Sequence, residues 1–475
     1  GSEMCIRDSG DVDIGNQCNI GCGSIFINYD GKNKHRSSVG DSVFIGSNSN
    51  IIAPVTIEDN AYIAAGTTVT VDLPKNSMCI GRSHETIKEN RSTYHKNVFN
   101  KKFFGTDGIR GIYGEDLTDE IAYLTGNYLG YSASGGKVVL GRDTRLSGEA
   151  IAKQLIKGIT DAGADVVNVG VVSTPAVAYV TTHIGANYGV VISASHNPAK
   201  YNGIKIFNYD GRKLTEIEEL EIESHITNKN VIIKEEKGTE SSGAVFMDSY
   251  YDSLKNFIGS LKNVKVVLDC ANGAVSKVAP RFFKELGAEV YSFNDSGDGT
   301  KINDGCGALH PEFCAQKVLE LGANVGFSYD GDADRLIAIN SKGKIVDGDS
   351  IIYIIAKRLK QQNKLNGDKV VGTIMSNMGV EQSLKKLGIS MIRTNVGDHF
   401  VMEEMIRNNL LVGGEQSGHI ILREFSNTGD GLLASLYLCK VMKETRRQLD
   451  RLDDSAHYPQ IMINLETNNK KQIME

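Results

Sequence analysis

Four short strings hold the residues best suited to chemistry: FGTDGIRG at 104–111, SASHNP at 193–198, DGDADR at 330–335 and GEQSGH at 414–419. The serine string follows an apolar run of strand length, YGVVI, and Pro198 bars a simple continuation of that strand or a helix. It therefore reads as a loop at a strand's carboxyl end, where open α/β sheets bind ligands. A plain Ser/Asn turn before a proline is the competing reading of the string taken alone. Asp330, Asp332 and Asp334 stand at alternate positions, so a loop of extended geometry aims three carboxylates at one point. Hard oxygen donors of this kind suit Mg²⁺, which also takes phosphate oxygens. A solvated acidic turn is the bland alternative, and an aspartyl-phosphate phosphatase, with an Asp as nucleophile and no role for the serine loop, is the other.

Taken together and in this order, the four strings resemble the α-D-phosphohexomutase superfamily, and within it the phosphoglucosamine mutase branch, from residue 102 onward. The resemblance implies that Ser195, in preference to Ser193, carries a phosphoryl group and holds Mg²⁺ jointly with Asp330, Asp332 and Asp334. It implies Lys205 of NGIK and His419 as general acid/base candidates, with Arg110 aimed at the serine region and Arg335 adding positive charge beside the phosphoryl group. His196 and Asn197 are expected to shape the loop. A lysine crowded by arginine and metal is expected to have a depressed pKa. Glu415 and Ser417 would grip paired sugar hydroxyls, and a glucose or glucosamine 1,6-bisphosphate would serve as intermediate and activator. Gln416 and the form of the first string favour glucosamine phosphate, with phosphomannomutase or phosphoglucomutase activity as runner-up.

These strings need a scaffold, and the chain offers two kinds. From Ile14 an aliphatic residue recurs every six positions, at Ile14 and Ile20 and then at Val39, Ile45, Ile51, Ile57, Ile63 and Val69. Small or β-branched residues, among them Cys18, Ser24, Val43, Ser49, Val55, Ala61 and Thr67, follow four positions later. Six is not a multiple of 3.6, so the pattern predicts a left-handed parallel β-helix with the aliphatic residues stacked inside. Over 10–82 it resembles the acetyltransferase domain of the bifunctional glucosamine-1-phosphate acetyltransferase and N-acetylglucosamine-1-phosphate uridyltransferase. That resemblance implies Asn28, Tyr29 and Lys34 at an amino-sugar phosphate and Ser47, Ala65 and Arg82 along an acetyl-CoA groove. The family's catalytic His has no counterpart here, since His35 does not occupy its place, so a homotrimerising scaffold with little acetyl transfer is the competing expectation. The two resemblances are to neighbours in amino-sugar nucleotide synthesis, which points to a fusion. Residues 83–101 are polar and aperiodic and read as a linker.

Beyond the linker the pattern is α/β. Three strands begin Lys-Val-Val, at Lys137, Lys265 and Lys369, each followed by a turn and a helical stretch. The first of these helices is expected to take Ser147 as N-cap and to stop at Gly163. Strand, helix and strand at this spacing predict parallel sheets in three similar domains, 102–246, 247–346 and 347–456. Residues 457–475 are expected to begin a truncated fourth domain whose apolar strand lies at 461–465. The family's phosphate-gripping loop of the form R-x-S-G-T-E-P is not in the sequence, so Ser195 phosphorylation is expected to survive better than net isomerisation. A 475-residue chain with 40% hydrophobic and 23% charged residues has ample core for several domains, and its net charge of −6 gives no reason to expect nucleic acid or an acidic membrane surface. The absence of long apolar runs and of paired cysteine spacings among the 8 Cys fits a cytoplasmic protein with reduced thiols, no membrane partner and small sugar phosphates as substrates. The first nine residues fit no pattern and are set aside as a tag or scar.

Overall fold

The computed structural model describes residues 12–28, 33–81, 85–88, 101–105 and 107–460. The chain divides into two compact units, Gly1–Lys101 and Lys102–Glu475.

The first unit is a parallel solenoid of three narrow sheets, and one full coil takes 18 residues. Val39 pairs with Ile57, Ile45 with Ile63 and Ile51 with Val69, each on a different face. The recurring aliphatics form its core: Ile45, Ile51, Ile57, Ile63 and Val69 are fully buried, with Val43, Val55 and Ala61 between them. The coil turns its corners through left-handed residues, several of them Asn (Asn48, Asn60, Asn76), the non-glycine type that tolerates positive φ best. Ile14 departs from the pattern and is exposed, because among the described residues its strand pairs on one side only, with Ser37–Val39. The linker reading fails at one place. Glu85–Lys88 pairs antiparallel with Met78–Gly81, so a polar stretch lengthens one sheet by taking up its edge hydrogen bonds.

In the second unit three sheets repeat one plan. All share three parallel strands with the first in the middle, then a fourth strand that returns antiparallel beside the third; the first sheet adds a short parallel edge strand, Glu240–Ser242, beside Asp165–Val171. In the first sheet Lys137–Arg142 lies between Asp165–Val171 and Tyr188–Ile192, and Tyr201–Asn208 returns against Tyr188–Ile192. In the second, Lys265–Asp269, Glu289–Phe293 and Val325–Tyr329 are parallel and Leu336–Asn340 returns. In the third, Lys369–Thr373, Ser390–Thr394 and Val412–Gly414 are parallel and Ile420–Leu422 returns. All three Lys-Val-Val strands are thus the central ones. The antiparallel fourth strand is the departure from the all-parallel expectation, and it matters for the site. Each reversal is a short loop at the carboxyl end of the third strand, and those loops are 193–200, 330–335 and 415–419.

A further antiparallel pair, Phe104–Gly105 with Gly108–Ile112, extends the first sheet beyond Tyr201–Asn208 and carries the GTDGIRG string. One apolar core runs through all three sheets, from Val139 and Phe207 through Val266 and Phe327 to Val370 and Leu436. It includes much of the largely buried helices Gly348–Gln361 and Gly431–Thr445. Burying faces of all three sheets in one core holds their loops in register. Helix Gly148–Asp161 ends just before Gly163, which has φ +92°. Its expected N-cap is corrected: Ser147 makes no side-chain cap bond and accepts instead from Asn202 Nδ2 at 2.9 Å. No helix among the described residues is long and apolar enough to cross a membrane, and the seven described cysteines are unpaired. The expected strand at 461–465 lies outside the described residues.

Candidate active site

The serine loop is built around a conformation that serine rarely takes. Ser195 has φ +52°, and its backbone N–H donates to Ser193 Oγ at 2.8 Å, while Ser193 Oγ donates to Asp143 Oδ2 at 2.7 Å. Ser193 is thereby occupied as a support. Ser195 Oγ, 1% exposed as a residue, donates to Asp330 Oδ2 at 2.6 Å and lies 3.2 Å from His196 Nδ1. Burial, with Arg335 and Arg110 nearby, lowers the His196 pKa to about 4, so this ring is neutral at neutral pH.

The acidic loop is a tight turn and not the extended segment expected. Ala333, at φ +56°, reverses it, and the three Asp side chains each present an oxygen within 4.8 Å of the others, all buried. Burial, then Asp334 and Asp332, push the Asp330 pKa well above the usual carboxylate range. Asp332 Oδ1 and Asp334 Oδ1 are buried without a hydrogen-bond partner. Hard, crowded and partly unsatisfied oxygens of this sort fit a divalent cation. Thr174 Oγ1 donates to Asp332 Oδ2 at 2.5 Å and fixes that carboxylate from the first sheet's side.

Lys205, on the returning strand Tyr201–Asn208, reaches the same point. Its Nζ lies 2.7 Å from Asp332 Oδ2, 2.9 Å from Asp334 Oδ2 and 3.2 Å from Asp107 Oδ2. The depressed lysine pKa expected from the sequence is corrected here. Although burial opposes the charged form, Asp107, Asp332 and Asp334 outweigh it and raise the pKa well above the usual value. Arg110 pairs with Asp107, and the Nε atoms of Arg110 and Arg335 are buried without a hydrogen bond, Arg335 Nε lying 4.0 Å from Asp334 Oδ1.

His419 closes the site from the third sheet. Gly429 N–H donates to its Nε2 at 2.9 Å, while Nδ1 lies 3.8 Å from Asp334 Oδ2 and Nε2 lies 3.5 Å from Asp398 Oδ2. Burial disfavours the charged ring, but Asp334 and Asp398 raise its pKa overall. The bond from Gly429 is open only to a ring with unprotonated Nε2, so the neutral form carries its proton on Nδ1. A backbone bridge between Arg335 and His419 joins the acidic and third loops directly. Glu415 Oε1 accepts from Gly397 N at 3.1 Å and acts electrostatically on Arg335 and His419, and Ser417 is exposed.

The chain is 47% identical over 387 residues to a phosphoglucosamine mutase of Clostridioides difficile, a match spanning 79% of this chain and 86% of that one. The chain belongs to the phosphoglucosamine mutase family. A second family member, from Staphylococcus haemolyticus, is 43% identical over 387 residues, covering 78% of this chain and 85% of its own. Within this family assignment the second unit matches three models in turn. They are the phosphoglucomutase/phosphomannomutase alpha/beta/alpha domains I, II and III, at 101–231, 248–343 and 347–457. Residues 36–70 match the bacterial transferase hexapeptide model. A phosphoglucomutase/phosphomannomutase family protein from Burkholderia thailandensis superposes with a TM-score of 0.68 at 25% identity, covering 74% of this chain and 79% of that one. A Thermus thermophilus protein described as a phosphomannomutase shares the fold, with a TM-score of 0.65 at 23% identity over 74% and 82% of the two chains. A phosphoglucosamine mutase family member is a mutase, an enzyme of the isomerase class that moves a phosphoryl group.

The second unit brings Ser195, the three Asp, Lys205 and His419 into one buried cluster, with Arg110 and Arg335 half-buried beside it. Sequence reasoning missed Asp107, Asp143, Arg145, Lys213, Asn303 and Asp398, which tie that cluster together. Lys213 joins Asp107 to Asp398, with Asp398 Oδ2 at 2.7 Å from its Nζ. Of the solenoid's expected site, Ser47 and Ala65 lie exposed 18 residues apart, Lys34 is exposed and Asn28 is half-buried. Tyr29 and Arg82 lie outside the described residues.

Proposed function

We propose that the chain interconverts glucosamine 6-phosphate and glucosamine 1-phosphate by passing a phosphoryl group to and from Ser195, through a 1,6-bisphosphate. The observation that carries this reading is the 2.6 Å contact between Ser195 Oγ and Asp330 inside the buried acidic cluster. Asp330, Asp332 and Asp334 would hold Mg²⁺, which when bound neutralises phosphoryl oxygens as negative charge develops on them. The Nε–H groups of Arg110 and Arg335, which make no hydrogen bond within the protein, supply donors for the same oxygens. His419, with its raised pKa, serves as proton donor at the sugar oxygens, and Lys205, held by Asp107, Asp332 and Asp334, contributes a fixed positive charge beside them. The Ser195 Oγ proton leaves along its hydrogen bond to Asp330 Oδ2 as the oxygen attacks phosphorus. Glu415, fixed by Gly397 N–H, and the exposed Ser417 face the sugar hydroxyls.

Incubation with labelled glucosamine 1,6-bisphosphate should place label on Ser195, and Ser195→Ala should abolish it. Label recovered on Asp330 would overturn this reading in favour of an aspartyl phosphatase. Comparing turnover of glucosamine, glucose and mannose phosphates settles the sugar. For the hexapeptide unit we propose a role in assembly as a homotrimer, with acetyl-CoA turnover slight; sedimentation giving a monomer would overturn it.

A further inference from the structure

We propose that Arg145 and Asn303 form a two-sided clamp on the backbone carbonyls of Ser195 and Asn197, and that this clamp sets the rate of phosphoryl transfer at Ser195. The inference rests on the reading of Ser195 as phosphoryl carrier. Arg145 lies outside all four chemistry-bearing strings, yet it is 1% exposed and every N–H of its guanidinium is used. Nε donates to Asp143 Oδ2 at 2.9 Å; Nη1 donates to Pro198 O at 2.6 Å and Tyr201 O at 2.7 Å. Nη2 donates to Ser195 O at 2.9 Å and Asn197 O at 2.7 Å. With five donors engaged, none is left for a ligand, so Arg145 is a positioning residue.

Asn303 comes from the second sheet's side and reaches the same two carbonyls, with Nδ2 at 2.9 Å from Ser195 O and 3.1 Å from Asn197 O. Its own backbone is held by Ala271, whose carbonyl accepts from Asn303 N at 3.0 Å. Each of the two carbonyls therefore takes one donor from Arg145 and one from Asn303. Between them Ser195 keeps a left-handed conformation that is strained for a non-glycine residue and that would relax if its carbonyl were free. Asp143 completes the frame by accepting from Arg145 and from Ser193, whose hydroxyl accepts the Ser195 N–H. A lysine's single ammonium cannot span four carbonyls and a carboxylate.

The test mixes the dephosphorylated full chain rapidly with labelled glucosamine 1,6-bisphosphate and records both the rate constant and the final amount of label on Ser195. Structural damage lowers the amount, because fewer molecules are competent, and leaves the rate constant of the competent ones alone. A displaced hydroxyl lowers the rate constant. Arg145→Lys should slow labelling ~100-fold and Asn303→Ala ~tenfold, with label still approaching one per folded chain. An unchanged rate constant in Asn303→Ala overturns the clamp, even if Arg145→Lys fails to fold. A parent chain that takes no label on Ser195 instead overturns the reading of Ser195 itself.

Discussion

Lys205 Nζ lies 2.7 Å from Asp332 Oδ2, and both side chains are out of contact with solvent. The lysine is the nearest positive charge to a carboxylate cluster that also suits a divalent cation, so the two cations share one electrostatic task. Lys205→Met should cost ~3–5 kcal/mol without metal, because buried carboxylates lose their partner. Magnesium should restore much of the loss, since a ligand that binds only the folded state stabilises it by mass action. Urea unfolding with and without magnesium measures both. A loss that magnesium leaves untouched would show that the acidic loop is not a cation site.

Asp430 gives the fold a pH dependence of predictable sign. It caps helix Gly431–Thr445 by accepting Leu433 N–H at 2.9 Å, accepts from Tyr250 Oη at 2.8 Å, and is pushed up to about 6 by burial. Its folded pKa thus exceeds the unfolded value of 3.8, so the folded state binds the extra proton. Stability from this group is full below pH 3.8 and is lost as pH rises through 6, a change of about 3 kcal/mol. Asp430→Asn keeps the cap bond through its amide oxygen and turns the second bond round, its Nδ2–H donating to Tyr250 Oη, so it should be the more stable form at pH 7, with its advantage vanishing near pH 4. Denaturation at the two pH values checks this; equal differences at both would refute the buried-charge account.

Gly418 is a point where a side chain has no room. It has φ +96°, and an added Cβ would stand 2.3 Å from Leu336 O, against the strand that leaves the acidic loop. Gly418→Ala should push the third loop away from that strand and lower kcat/KM for the sugar phosphate ~10–100-fold while Ser195 labelling chemistry stays on the same residue. Wild-type kcat/KM in a folded Gly418→Ala variant would separate this loop from substrate binding.

In the solenoid, Ile51 is fully buried between Phe26 and Val69 on one face. Ile51→Ala should destabilise the hexapeptide unit by ~2–5 kcal/mol. Calorimetry should show its transition move down in temperature; an unmoved transition would mean that the stacked aliphatics do not hold the coils together.

The repeating aliphatics and the three Lys-Val-Val strands were legible because side-chain period and strand apolarity are local properties. Ser195 and the three Asp were legible because their strings are compact. Arg145 was not, since its partners are carbonyls 50 to 56 residues away, and a carbonyl leaves no mark in sequence. Asp107, Lys213 and Asp398 went unread for a related reason: a half-buried network of alternating charges arises only when segments such as those of Lys213 and Asp398, 185 residues apart, meet. The direction of the Lys205 pKa also depended on that assembly, because its decisive partners come from two other loops. The antiparallel fourth strands escaped because a strand's polarity cannot be read from its apolar pattern.

The equivalent placing of the three loops has a consequence for how the catalyst comes into being. Ser195 and Asp330 are 135 residues apart, so neither loop meets its partner until whole sheets have formed and docked. Contacts of such long sequence separation carry a large closure entropy and form late. Local helices and the Lys-Val-Val pairings can be regained early while the cluster is still open, and a chain stalled at that stage would look largely folded by circular dichroism yet transfer no phosphoryl group. On the proposed role of Ser195, recovery of its labelling would report the final docking step of folding, which bulk spectroscopy passes over.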